Sequence, residues 1–171
     1  GFAAGVVLHR PLPVINWEFA ENGTITAWQV SGPEPEQVLF WTAETCPAWS
    51  RRDFRKVTAD KGDECDKCGI PLLEVGSRSA CFNEYAQWVL APLEKVEDGG
   101  RRLFIGNVKA PSKGWKAGFI DFSFAGSQKA TTTVSIMPNT YPFPPCQGRE
   151  CVSPLVFWSP RDQRLSLEEL N

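Results

Sequence analysis

The sequence of 171 residues lacks several features, and each absence excludes a class of function. It contains no apolar run of the ~18 residues that a membrane-spanning helix requires, so we expect no membrane span. It carries no excess of basic residues, since the formal net charge is −2. Proteins that bind nucleic acid normally use surplus Lys and Arg to displace counterions, so nucleic acid is not expected as a partner.

The groups needed for nucleophilic catalysis are also scarce. No G-x-S-x-G segment occurs, and the one His is His9, at the end of the apolar stretch that opens the chain. A Ser-His-Asp site requires its His within hydrogen-bonding distance of an activated Ser, and the sequence indicates no such Ser. We therefore predict no catalytic residue and no cofactor in this chain, and we expect His9 at the surface or at a helix end. Whether a longer parent protein is an enzyme stays open.

What the sequence does contain is a series of short apolar segments separated by turn signals. Aromatic residues make up 12% of the chain, and seven of the residues are Trp. The turns Asn22-Gly23 and Asp98-Gly99-Gly100 predict two β-hairpins. The predicted strands are Val14 to Phe19, Thr24 to Val30, Val38 to Trp41, Gln87 to Glu97, Arg101 to Val108, Trp115 to Phe124 and Ala130 to Met137.

These segments predict an all-β fold, an immunoglobulin-like antiparallel β-sandwich of about seven or eight strands. Trp41 and Phe122 are expected in its core, because they lie in the most apolar strands. The sandwich is assigned to residues 11–143. Residues 1–10 are interpreted as the remnant of a helix, and residues 144–171 as a tail that contains Pro and Cys.

Six Cys are present, an even number that is typical of disulfide-bonded proteins of the secretory pathway. They are Cys46, Cys65, Cys68, Cys81, Cys146 and Cys151. Cys146 and Cys151 are close enough in sequence to bond each other, which leaves the other four to pair among themselves with their connectivity open. Cys65 and Cys68 form one C-x-x-C step, so a zinc site is an alternative, although structural zinc sites usually show two such steps. We predict structural disulfide bonds and no metal.

Two further features concern the surface and the cell compartment. Asn22 opens an N-x-T sequon and is a candidate glycosylation site, in agreement with a secreted, extracellular protein. Residues 57–85 are charged and rich in Gly, and they contain Cys. We interpret them as an inserted Cys-rich loop that depends on its cross-links, because so polar a segment buries little apolar surface.

A basic cluster precedes the insert: Arg51, Arg52, Asp53 and Arg55 surround Phe54. We call the four charged residues the basic strip. Alternation along a strand predicts that Phe54 is largely buried and that Asp53 pairs with a basic neighbour. One interpretation is a solvated edge strand, whose charges prevent edge-to-edge association. The other is an interaction strip, since Arg side chains grip carboxylate and phosphate groups. We predict a structural role first and a binding role second.

The order of several motifs resembles a known family. The segments RPLPVINWEFAENGTITAWQV, VLFWTAE, RRDFRK, APSKGWKAGFIDFSF and TTTVSIMPNTYPF occur in this order. Together they are similar to the C-terminal part of the PhoPQ-activated pathogenicity-related protein family, which also includes a secreted autocrine proliferation repressor of social amoebae. RRDFRK and GWKAGFIDFSF are the most specific of these segments.

The resemblance implies that an α/β-hydrolase-like domain precedes an immunoglobulin-like sandwich in a longer protein. Residues 1–10 would then be the end of the last helix of that upstream domain, and its catalytic residues would lie before Gly1. His9 does not match the catalytic His of such a domain because it follows the helix. No catalytic residue is therefore carried over. The insert at residues 57–85 and the tail depart from the bacterial pattern and suggest a secreted eukaryotic relative.

Three functions follow from these observations. The first is a non-catalytic accessory domain of a secreted hydrolase-like protein, with the upstream domain as its partner. The second is an extracellular signalling or adhesion module that binds a receptor through its own surface. The third is a glycan-binding module, which would present several exposed Trp side chains on one face.

Overall fold

The computed structural model describes residues 12–49, 52–59, 64–75 and 78–140. Within these ranges the strands are β1 (Val14–Phe19), β2 (Thr24–Ser31), β3 (Gln37–Glu44), β4 (Val57–Ala59), β5 (Leu72–Val75), β6 (Arg78–Phe82), β7 (Val89–Ala91), β8 (Glu94–Asp98), β9 (Arg101–Asn107), β10 (Lys116–Phe124), β11 (Gln128–Thr131) and β12 (Ser135–Met137). The helical elements of the described part are a single-turn helix, α1 (Glu64–Lys67), and a 3-10 turn (Ala125–Ser127).

Two antiparallel sheets form the sandwich. The first has the strand order β1-β2-β9-β8, and the second has the order β11-β10-β3-β7, with β12 also paired to β10. Both predicted hairpins are present, and their turns use glycines with positive φ: Gly23 at +85° and Gly100 at +78°. The predicted all-β, antiparallel sandwich is therefore confirmed.

The main core lies between these two sheets. Its buried side chains are Ile25, Ala27, Phe40, Phe104, Val108, Ile120, Phe122, Phe124 and Met137. The rings of Phe104 and Phe122, one from each sheet, meet edge to face with centroids 5.3 Å apart. Phe40 fills the space above two glycines, since a Cβ atom at Gly106 would lie 2.8 Å from its ring and one at Gly118 would lie 2.9 Å from it.

The expectation for Phe122 is confirmed, because its side chain is fully buried. The expectation for Trp41 is wrong, since this side chain is only half-buried. Trp41 pairs with Phe119 of β10 and Leu90 of β7, so it lies on the outer face of the second sheet. The apolar run Val38 to Trp41 indicated a strand, but it could not indicate that one of its faces lies outside the sandwich core.

Two predicted strands are each divided in two. The stretch Gln87 to Glu97 forms β7 in the second sheet and β8 in the first, with Pro92, which lacks an N–H group, between them. The stretch Ala130 to Met137 forms β11 and β12. Between these two strands the Thr132 side chain accepts a hydrogen bond from the N–H group of Ile120 at 3.0 Å, so a hydroxyl replaces a backbone acceptor there.

The insert at residues 57–85 was predicted to be a loop. The structure shows that it also contains a third antiparallel sheet, with the strand order β4-β6-β5. The charged composition correctly indicated exposure, but it concealed three short strands. The predicted helix remnant at residues 1–10 and the predicted tail at residues 144–171 lie outside the described residues. In the part of the chain that the structure describes, no helix has both the length and the apolar character that crossing a bilayer requires.

Candidate functional site

The basic strip lies between β3 and β4, and its described residues do not form the predicted edge strand. Residues 52–55 have no regular secondary structure. Arg52 and Arg55 are exposed and Asp53 is buried, whereas Arg51 lies outside the described residues. The described part of the strip is therefore irregular backbone in which the Asp53 side chain is buried and both Arg side chains are exposed. The three residues have separate roles.

Asp53 and Arg55 form a bidentate ion pair. The Nε atom of Arg55 donates to Oδ1 of Asp53 at 2.9 Å, and its Nη2 atom donates to Oδ2 at 2.6 Å. Asp53 has only 7% of its side chain exposed, but Arg55 has 68% exposed. The hydrogen bonds to Asp53, followed by its negative charge, raise the pKa of Arg55. The predicted pairing of Asp53 with a basic neighbour is confirmed, and its role is to hold the backbone turn.

Arg52 covers an aromatic ring at the end of the sandwich. Its guanidinium carbon lies 4.3 Å from the centroid of the Trp115 ring, and Trp115 is fully buried. This distance is that of a cation–π contact. In the described ranges no acidic side chain pairs with Arg52. Arg52 therefore covers the Trp115 ring with its guanidinium group while the residue as a whole stays exposed.

Phe54 is half-buried, so the expectation that it is largely buried is wrong. Its ring centroid lies 6.1 Å from that of Trp88, and Trp88 lies 5.0 Å from Phe119 of β10. These three side chains form a short aromatic cluster on the outer face of the second sheet. The cluster attaches the strip to the sandwich, which is a structural role for Phe54 despite its partial exposure.

Asn83, which the sequence did not single out, holds the strip in place. Its side chain is fully buried, and its Nδ2 atom donates to the carbonyl oxygen of Arg55 at 3.2 Å. Its backbone N–H group donates to the carbonyl of Lys56 at 2.6 Å, and its Oδ1 atom accepts from the N–H group of Ala86 at 3.3 Å. A buried Asn in so polar a segment has no local signature, because its partners come from distant positions of the chain.

Two disulfide bonds link the four Cys residues that the structure describes. Cys46 is bonded to Cys68, and Cys65 is bonded to Cys81. Both bonds pack with the fully buried Trp49 in a second core, next to Ile70. This pairing leaves no thiolate among the four Cys for zinc, and the described residues contain no other cluster of metal-ligating side chains. Cys146 and Cys151 lie outside the described residues, and their bond stays a prediction.

Asn22 lies in the exposed turn between β1 and β2. Its Oδ1 atom accepts a hydrogen bond from the N–H group of Thr24 at 3.0 Å, which is the geometry of an Asx turn. The Thr24 hydroxyl in turn accepts from Nδ2 of Asn107 at 2.9 Å. The sequon is thus accessible at the end of the first sheet, and its glycosylation stays a prediction.

The Trp side chains lend no support to a glycan-binding row. Trp49 and Trp115 are fully buried, and the other Trp residues within the described ranges are half-buried. Trp17 packs against the main core, and the rings of Trp88 and Phe119 are tilted by 64° to each other. A sugar ring stacks on a flat aromatic surface, which tilted and partly covered rings do not offer.

Comparison with known proteins finds a distant similarity to autocrine proliferation repressor protein A of Dictyostelium discoideum. The two sequences are 23% identical over 160 residues, which cover 85% of this chain and 28% of that protein. The chain therefore spans little more than a quarter of the length of this relative. No protein-family model matches the chain, and no solved structure matches it. The similarity supports the resemblance to the amoebal repressor, and membership of the wider PhoPQ-activated family stays a prediction.

Proposed function

We propose that the chain is a non-catalytic, immunoglobulin-like domain of a longer secreted protein, in which it follows an α/β-hydrolase-like domain. The observation that carries this proposal is the unequal coverage of the similarity, 85% of this chain but 28% of autocrine proliferation repressor protein A. A sequence that matches a minor part of a longer relative over most of its own length is expected to be one domain of a larger protein.

The chemistry of the candidate site agrees with a binding or accessory role. Asp53, the buried carboxylate of the strip, accepts both hydrogen bonds of the Arg55 fork and so serves the fold. The exposed cations Arg52 and Lys56 are suited to holding a carboxylate or phosphate of a partner. Such a domain would pack on the upstream domain, shape its cleft or receive an extracellular partner.

The proposed location is extracellular. Two disulfide bonds in a small domain are typical of secreted proteins, because the cytosol keeps most thiols reduced. The exposed sequon at Asn22 agrees with passage through the secretory pathway. The name of the amoebal relative contains the word autocrine, which describes a factor that a cell releases and to which the same cell responds.

A second candidate function is favoured by that same name. An autocrine repressor must be sensed by cells, so the domain is alternatively a signalling module that binds a receptor through its own surface. The fluorescently labelled chain should then bind cells, and both Arg52→Glu and Lys56→Glu should abolish this binding, whereas Lys109→Glu should retain it. Binding that survives both Arg52→Glu and Lys56→Glu would remove the reason for this candidate.

The leading proposal is tested by an activity assay of the 171-residue chain, secreted by a eukaryotic host with its disulfide bonds formed. A panel of aryl esters and chromogenic peptides is offered to the chain and to a His9→Ala variant. We expect the same background hydrolysis from both proteins. Turnover by the chain that His9→Ala abolishes would show a catalytic site within it and would overturn the proposal.

A further inference from the structure

The insert presents an apolar surface on the side that faces away from its disulfide core. In β6, Cys81 is fully buried against that core, so the neighbouring Phe82 points to the opposite side of the third sheet. Val57 of β4 lies directly opposite Phe82. Leu73 of β5 lies opposite Ala80, which shares the face of Phe82. We call Val57, Leu73 and Phe82 the insert face.

These three side chains are unusually accessible for large apolar residues on neighbouring strands. Val57 is 55% exposed, Phe82 is 46% exposed and Leu73 is 43% exposed. Single exposed apolar residues are normal on a protein surface, but a contiguous group of them marks an interaction site. The insert face is such a group, whereas the similarly exposed Val30 lies on the sandwich.

A positive charge borders the insert face. The Nζ atom of Lys56 lies 5.1 Å from the centroid of the Phe82 ring, and in the described ranges no carboxylate pairs with it. Arg52, four residues earlier, also lacks an acidic partner there. The Asp53 carboxylate is already occupied by Arg55. The charge that the structure places against the Phe82 ring is therefore positive.

The insert face is also held rigidly, which lowers the entropy lost when a partner binds. The disulfide bond Cys65–Cys81 joins α1 to β6, and the bond Cys46–Cys68 joins the residue after α1 to the segment that follows β3. Asn83 binds the carbonyl groups of Arg55 and Lys56, so it determines where the Lys56 side chain leaves the backbone.

From this arrangement we propose that the insert face is a docking surface for an extracellular protein segment that carries apolar side chains next to acidic ones. The apolar side chains cover Val57, Leu73 and Phe82, and a carboxylate pairs with Lys56. The proposal rests on the proposed role as a non-catalytic binding domain and adds to it the surface and the chemistry of the partner. Because the surface consists of only three apolar side chains and one cation, we expect weak, reversible binding.

The test uses the 171-residue chain, labelled with nitrogen-15 and with its disulfide bonds intact. The probes are two ten-residue peptides with the same alternating Leu and Phe residues, one with Glu and one with Lys between them. We expect the Glu peptide to shift the amide resonances of Lys56, Val57 and Phe82, and to bind at least about tenfold more tightly than the Lys peptide.

Two variants with matched controls locate the contact. Val57→Ser and Lys56→Glu should each weaken binding of the Glu peptide by about tenfold or more. Val30→Ser and Lys109→Glu remove the same kinds of side chain from exposed positions elsewhere and should change binding by less than about twofold. Val30, at 57% exposure, matches Val57 closely.

Four results would overturn the proposal. The first is the absence of amide shifts at ~1 mM peptide, a concentration chosen to detect a dissociation constant as weak as about 1 mM. The second is equal binding of the two peptides, and the third is binding of the Glu peptide that Val57→Ser leaves intact. The fourth is a dimer of the chain that Val57→Ser dissociates. Binding to phosphatidylserine vesicles, lost in Lys56→Glu, without peptide binding would assign the surface to a membrane instead. The hydrolysis assay with His9→Ala is independent of these results, so the docking surface can fail while the non-catalytic role stands.

Discussion

The Arg52 guanidinium lies 4.3 Å from the centroid of Trp115, and it forms part of the cover over a ring that is fully buried. Arg101 is related to Trp28 in the same way but more loosely, at 5.8 Å from a half-buried ring. An Arg side chain thus covers a fully buried Trp ring in one pair and a half-buried Trp ring in the other. Stability measurements can separate them.

Arg52→Ala is expected to lower the free energy of unfolding by about 0.5–1 kcal/mol, through loss of the cation–π contact and of the cover over Trp115. Arg101→Ala, the matched control, should change it by less than about 0.5 kcal/mol. Urea unfolding followed by Trp fluorescence measures both changes. Equal effects of the two substitutions would mean that the cover over Trp115 has no energetic importance.

Arg55→Ala should be more damaging, by about 1–3 kcal/mol, because it removes two charged hydrogen bonds from the buried Asp53 carboxylate. Arg102→Ala removes an Arg whose partners, Glu97 and Glu34, are both exposed, so it should cost less than about 1 kcal/mol. Since its pairing raises the pKa of Arg55, the part of this stabilisation that depends on the Arg55 charge is fully present at neutral pH and is lost as the pH rises through that raised pKa. Thermal melts at neutral pH test the ranking, which a larger effect of Arg102→Ala would contradict.

Asn83→Ala is expected to destabilise the insert by about 2–3 kcal/mol, because it leaves the buried N–H group of Ala86 and the carbonyl group of Arg55 without the Asn83 side chain. Asn107→Ala, which removes an exposed Asn bonded to Thr24, is the control and should cost less than about 1 kcal/mol. Hydrogen exchange of the β4 and β6 amides reports on the insert separately from the sandwich. Unchanged protection of both strands in Asn83→Ala would show that the strip is held in place by other contacts.

Phe122→Ala should destabilise the sandwich by about 3–5 kcal/mol, the usual effect of emptying a fully buried Phe position. Phe54→Ala removes a half-buried ring from the aromatic cluster of Phe54, Trp88 and Phe119 and should cost only about 1–2 kcal/mol. Chemical denaturation of both variants measures the ratio. A Phe54→Ala effect as large as that of Phe122→Ala would place the strip among the main determinants of stability.

Secretion of the chain from a eukaryotic host should attach a glycan to Asn22, because the sequon lies in an exposed turn. A mass decrease on treatment with an amidase that removes N-linked glycans is the expected result, and Asn22→Gln should abolish it. Asn107→Gln, a change to a nearby Asn that is not in a sequon, should leave the glycan in place. An unmodified wild-type chain in the secreted fraction would refute this prediction.

Local signals in the sequence predicted the parts of the fold that depend on neighbouring residues. The turn at Asn22-Gly23 requires a positive φ, which Gly23 supplies, so the first hairpin could be predicted from these two residues. Alternation of Ile120, Phe122 and Phe124 indicated which face of β10 is buried. Pairing of Asp53 with a basic neighbour followed from the density of charge around it.

Features that depend on contacts between distant positions could not be predicted. Asn83 is buried because its partners at Arg55 and Lys56 lie on a segment almost thirty residues away. Trp41 was expected in the core because an apolar run does not reveal which of its faces lies outside the sandwich. The spacing of the Cys residues is compatible with several pairings, and only the packing around Trp49 brings the observed pairs together.

The two disulfide bonds of the insert interleave along the chain, since Cys65 lies inside the loop closed by Cys46 and Cys68, and Cys81 lies outside it. A protease that cuts one peptide bond anywhere between Cys46 and Cys81 therefore cannot release a fragment, because at least one disulfide bond always joins the two pieces. The nicked chain should migrate as one species on a non-reducing gel and as two on a reducing gel. A domain built in this way remains one covalent molecule after a single proteolytic cut in this region, and it separates into two polypeptides only when cutting and reduction occur together.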